Sequence, residues 1–148
     1  MSKKYPAAKS VKFILCEDVR EEAHSKLTFL GVFTADSITL LRPQLPTGTQ
    51  GVAVLASLAI VVILKGIEGD FETRMKLMTP DKKVAFEGSI GKVKAAKASS
   101  ATLAWKVQGF VVTSYGCYHA ELRLDDKVYP FDFDILDGTG AKISTKAA

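Results

Sequence analysis

The sequence predicts one all-β domain, an antiparallel sandwich of about seven to nine short strands. Three observations carry that prediction. Apolar and polar side chains alternate with a period of two in several segments, as in strands with one buried face. Clusters of Gly, Pro, Asp and Ser interrupt these segments at short intervals. No segment shows the 3.6-residue period of an amphipathic helix. The length of 148 residues suits one domain and suffices for a core without metals or disulfides. Hydrophobic residues at 47% and charged residues at 24% lie near the globular average, which excludes a disordered chain.

The elements follow in order. Residues 11–19 are apolar on both faces, as in a central strand, and Ala23-His24-Ser25 reads as a turn. Residues 27–33 and 37–41 are further strand candidates. The run 52–64 is almost wholly apolar. Its β-branched residues Ile60, Val61, Val62 and Ile63 favour a strand over residues 58–65, whereas 52–57 stay open between strand, helix and loop. Gly66 and Gly69 then break the run. Phe71, Thr73, Met75 and Leu77 alternate with Glu72, Arg74 and Lys76, and a turn at Thr79-Pro80-Asp81-Lys82 leads to a short strand at 84–87. Residues 89–100, rich in Lys, Ala, Ser and Gly, read as a loop. Leu103, Trp105 and Val107 alternate, and Gly109 marks a bulge or close approach. Two clear alternating strands follow, at 118–124 and 129–135, joined by Asp125-Asp126-Lys127. The domain thus spans 11–137, between a flexible basic segment at 1–10 and a flexible tail at 138–148.

The run 52–64 is thirteen residues long, short of the roughly 20 that span a bilayer. No apolar run of signal-peptide length follows the basic start. Two cysteines, Cys16 and Cys117, fit a reducing compartment, so a cytoplasmic location is expected. The net charge of +4 is unevenly placed. Lys3, Lys4, Lys9, Lys12, Lys92, Lys94, Lys97, Lys142 and Lys146 lie in segments without acidic residues; the rest holds 11 basic against 16 acidic residues. An acidic body beneath basic flexible parts argues against a nucleic-acid-binding face.

Gly116 and Tyr118 sharpen the fold. A Tyr two residues after a Gly at a strand entry looks like the tyrosine corner of immunoglobulin-like sandwiches, whose phenol bonds back to the backbone. The other reading is an ordinary core aromatic. Ala120 stands where antibody domains carry a cysteine, so their inter-sheet disulfide is not expected. Two stretches, Phe13-Ile14-Leu15-Cys16-Glu17-Asp18-Val19-Arg20-Glu21-Glu22 and Lys26-Leu27-Thr28-Phe29-Leu30-Gly31-Val32-Phe33, resemble the opening of a family of small uncharacterised bacterial proteins. The strand entered at Gly116 and its hairpin fit as well. The resemblance implies an immunoglobulin-like layout and brings no activity or functional residues.

Four groups could carry chemistry. Glu17, Asp18, Arg20 and Glu21 form a candidate interaction surface, against the plainer reading of ion pairs and a turn ending the first strand. Asp125, Asp126, Asp132, Asp134 and Asp137 could supply calcium ligands, but lack EF-hand spacing and read better as solubility and edge charges. Cys16, Cys117, His24 and His119 lack the close pairs of a zinc site, and neither thiol shows an activating base. Lys92, Lys94 and Lys97 could meet phosphates, but no aromatic is interleaved to stack on bases. No catalytic residue, metal or cofactor is assigned.

Three function classes remain. The first is a non-enzymatic interaction module, self-associating through sheet edges or an apolar face, with an unidentified protein as a further possible partner. The second is a ligand- or metal-binding sandwich using loop carboxylates. The third is an enzyme of unrecognised type, which a pocket uniting Asp18, Arg20 and a His would favour. Neither nucleic acid nor membrane is expected as a partner.

Overall fold

The computed structural model describes residues 3–40 and 53–138. Seven strands make up most of them: β1 (Val11–Glu22), β2 (Lys26–Val32), β3 (Ser37–Leu40), β4 (Ala53–Met78), β5 (Val84–Val112), β6 (Gly116–Leu124) and β7 (Lys127–Asp137). The fold is an all-β, immunoglobulin-like sandwich, antiparallel except for the parallel pair β3–β7. The expected tail at 138–148 lies outside the described residues beyond Gly138, as do Leu41 and Val52 at the ends of two expected strands.

The two longest strands create both layers. The first half of β4 pairs with β1 on one side and with the end of β5 on the other, from Ala53↔Val112 to Lys65↔Ser100. Its second half pairs with β6 and with the start of β5, from Gly69↔Ala95 to Met78↔Val84. One layer therefore runs β2-β1-β4-β5 and the other β5-β4-β6-β7-β3. Gly66 and Gly69, expected to break the chain, instead carry φ of +72° and +110° where the β4–β5 register slips. Glycine tolerates this left-handed backbone, so the hairpin crosses between layers without ending.

Two other expectations are corrected by the same pairing. Residues 89–100 are strand, not loop, because β4 supplies a full ladder of partners that overrides their weak β propensity. Lys92, Lys94 and Lys97 therefore lie on β5. Gly109 has φ +69°, but the register runs on past it between Ser57↔Gln108 and Leu55↔Phe110, so no bulge forms there. The open segment 52–57 is strand from Ala53 onward.

The core lies between the layers. Tyr118, Phe133 and Ile135 from one layer meet Leu15, Ile60, Val62 and Phe110 from the other. Phe13 of β1 stacks on Phe131 of β7 at 4.8 Å between centroids, which ties the layers together away from the long hairpin. Tyr118 Oη donates to the Ser114 carbonyl at 2.8 Å, the back-bond that defines a tyrosine corner.

The N-terminal segment, expected to be a free tail, is laid against the sheet over residues 3–10. Lys4 exchanges backbone hydrogen bonds with Glu68. Tyr5 packs edge-on against Phe71 at 5.1 Å, Lys3 Nζ reaches Asp125 Oδ2 at 2.8 Å, and the buried Tyr129 hydroxyl donates to the Pro6 carbonyl at 2.6 Å.

Candidate interaction surface

The two layers present different outer faces. On the five-stranded layer the face is charged and arranged in rows across the strands. Glu121, Lys76 and Glu87 stand side by side on β6, β4 and β5. His119 is held between carboxylates, with Nδ1 facing Asp132 Oδ1 and Nε2 at 3.2 Å from Glu121 Oε1. The Asp132 hydrogen bond is the largest influence raising the His119 pKa above its ordinary value, and Glu121 adds to it. Because both ring nitrogens are engaged, this imidazole has no free ligating position. Among the described residues, no group of three or more His, Cys, Asp and Glu is placed to hold a metal ion.

The outer face of the four-stranded layer is apolar at its centre, with polar and charged side chains from the end of β1 and from β5 around it. It carries a second cluster, separate from the main core: Cys16, Val19, Ala59 and Val61 are buried, with Ile14, Leu27, Phe29 and Ile63 half-buried around them. This explains why residues 11–19 and 58–64 read as apolar on both faces. In β1 the odd residues build the main core and the even ones the outer cluster, and in β4 the parity is reversed, apart from a slip at Asp18. Cys16 and Val19 are three apart yet share the outer cluster, so the period-two alternation slips once between them.

The slip occurs where Asp18 turns back on its own backbone. Its Oδ1 accepts the Val19 N–H at 2.8 Å, and this bond, more than the neighbouring Lys106 and Arg20, holds the carboxyl below the usual range. Lys106 of β5 reaches over from the far side of β4. Its Nζ lies 3.4 Å from Asp18 Oδ1 and donates to the Val19 carbonyl at 3.1 Å. Arg20 Nε stands 4.0 Å from Asp18 Oδ2. Burial, before any charge, pushes the Cys16 thiol up, which keeps it protonated and unreactive.

The face is concave. Leu27 of β2 and Thr102 and Ala104 of β5 line one cavity of about 690 Å³, although β1 and β4 separate these strands in the sheet. Val19 contributes to its wall, and Asp18, Arg20, Glu21 and Lys106 complete its lining. Glu17 lines an adjoining cavity of about 410 Å³ with Asp18 and Lys106. Glu17 also crosses Gly31 of β2, where a Cβ would lie 2.6 Å from Glu17 Cδ and where φ is +61°. Only glycine allows this crossing without strain.

The structure thus brings Glu17, Asp18, Arg20 and Glu21 to one side of a trough. They lie within β1 rather than in a turn ending it, because β2 pairs with β1 through Glu22. His24 is exposed at the following 3₁₀ turn and is not among the residues lining the trough, and His119 lies on the other layer. Both cysteines are free, Cys16 under the trough and Cys117 exposed on β6. Asp134 is exposed, Asp132 is engaged by His119, and Asp125 is engaged by Lys3, Tyr5 and the Glu72 N–H. Sequence reasoning missed Lys106, Thr102 and Ala104. Their only signal was alternation with Leu103 and Trp105, which places them on the outer face without saying what they face.

None of the curated proteins matches the chain. Among solved structures it is similar to an immunoglobulin-like protein from Pseudomonas aeruginosa, with 13% identity over 91% of this chain and 97% of that one, and a TM-score of 0.43. It is also similar to the C-terminal domain of wzt, with 9% identity over 90% and 77% of the chains and a TM-score of 0.43. A further likeness is to a β-glucosidase from Listeria innocua in complex with gluconolactone, with 12% identity, 85% of this chain but 16% of that one, and a TM-score of 0.40. Residues 12–130 match the model of a family of unknown function, DUF6941, and the chain belongs to that family.

Proposed function

We propose that this domain is a non-enzymatic interaction module that self-associates through the concave outer face of its four-stranded layer. The observation that carries the reading is the second apolar cluster, which opens to solvent outside the core through Ile14, Leu27, Phe29 and Ile63. A sandwich that only needed to stay soluble would place polar side chains on that face, as the other layer does. The rim favours a second copy as occupant. It mixes Asp18, Glu21 and Glu22 with Arg20, Lys26 and Lys106, so two copies related by a two-fold axis can each offer both signs to the other. A ligand-binding sandwich using loop carboxylates gains less support, because the acidic residues do not converge. The enzyme reading gains the least support, because no His lines the trough beside Asp18 and Arg20.

Hydrogen–deuterium exchange at two protein concentrations tests this reading. Amides beside Leu27, Phe29 and Thr102 should gain protection as concentration rises. The exposed Ala104→Arg variant fills the trough without touching the core and should abolish that gain. Protection independent of concentration would contradict the proposal.

A further inference from the structure

We infer that the free edge of β5 between Gly88 and Lys97 takes an extended acidic segment of another protein as an added strand. β5 is 29 residues long and, among the described residues, pairs with β4 alone. Among the described residues no strand pairs with its other side, and apart from Gly91, whose N–H donates to Ser89 Oγ at 3.4 Å and whose carbonyl accepts from Thr73 Oγ1 at 2.6 Å, that side offers the row of backbone donors and acceptors that strand addition uses.

Charge selects the incoming strand. From residue 88 to the end of β5 there is no carboxylate, while Lys92, Lys94 and Lys97 are exposed. Across the sheet Lys92 stands beside Glu72, with Nζ 3.6 Å from Oε1, and Lys94 stands beside Asp70. Signs thus alternate in these two rows, as they do along Glu121, Lys76 and Glu87, whereas Arg74 stands beside Arg123. A strand added outside β5 continues the alternation only if it is acidic opposite Lys92 and Lys94. A second copy of this segment would set lysines against lysines, which is destabilising across strands, so this edge serves a different partner from the trough. Nucleic acid fits less well. No aromatic side chain lies between residues 87 and 104 to stack on bases, and phosphate contacts leave the backbone edge unused.

The probe is a fluorescein-labelled ten-residue peptide of alternating Val and Glu, followed by anisotropy with the full chain. Binding is expected, with slowed amide exchange confined to residues 88–97. Lys94→Glu with Lys97→Glu should weaken it by about tenfold or more, which is about 1.4 kcal/mol. Both lysines are exposed, so the variant keeps its fold, and circular dichroism checks that. A peptide N-methylated at alternate residues along one edge should not bind. Ala104→Arg should leave affinity unchanged, which separates failure here from failure of the trough proposal. The inference is overturned if the peptide does not bind, if charge reversal leaves affinity unchanged, if the N-methylated peptide binds equally, or if an oligothymidylate of equal charge binds more tightly.

Discussion

Tyr118→Phe isolates one atom of the fold. The ring stays, so stacking on Phe133 at 5.6 Å and the edge contact with Phe110 at 6.2 Å are kept. What is lost is the hydroxyl that donates to the Ser114 carbonyl at 2.8 Å. Tyr118 is fully buried, so water does not replace the donor without opening the corner. A hydrogen bond contributes about 1 kcal/mol net, and leaving its acceptor buried and unpaired raises the cost to about 1–3 kcal/mol. With a urea slope of roughly 2 kcal/mol/M for a domain of this size, the midpoint should fall by about 0.5–1.5 M. The slope itself should not change, because the same surface is exposed on unfolding. Equilibrium urea unfolding followed by tryptophan fluorescence reads both, since Trp105 lies in the same core. An unchanged or raised midpoint would refute the corner as a stabilising device and leave Tyr118 as a core aromatic only.

Other perturbations follow from the same geometry. The His119 pKa is raised in the folded state, chiefly by its hydrogen bond to Asp132, so its contribution is full below the ordinary value of 6.5 and is lost as pH rises through the raised value. The site is exposed, so the loss should stay below about 1 kcal/mol, and it should vanish in His119→Gln when urea midpoints are compared from acid to mildly alkaline pH. Gly31→Ala should cost about 1–2 kcal/mol from the left-handed backbone and the Glu17 crossing; Glu17→Ala added to it should recover only the crossing, as a double-mutant cycle in urea would show. Tyr129→Phe should lower stability by about 1 kcal/mol by removing the donor to Pro6, and limited proteolysis should then cut earlier within residues 3–10.

Local chemistry was legible in the sequence. The hairpin of β6 and β7 follows from alternation in Tyr118, Ala120, Leu122 and Leu124 and in Tyr129, Phe133 and Ile135, all buried as their spacing requires. The corner was legible because Gly116 and Tyr118 lie within one short motif. The long hairpin was not. Gly66 and Gly69 are breaks by propensity, and only the pairing of β4 with β5 shows that their positive φ lets one strand serve two layers. Residues 89–100 likewise became strand through their partners, not their composition. For the trough, the charged cluster at Glu17, Asp18, Arg20 and Glu21 stood out. Lys106 did not, because its contact with Asp18 joins residues far apart in the chain across β4.

The mass of the chain in solution tests the central claim most directly. Sedimentation velocity over concentrations of order 10 to 500 µM should show the weight-average mass rise from the 16.0 kDa of one chain toward twice that value, with the rise lost in Ala104→Arg. A mass that stays at 16.0 kDa across the whole range would contradict self-association through the trough.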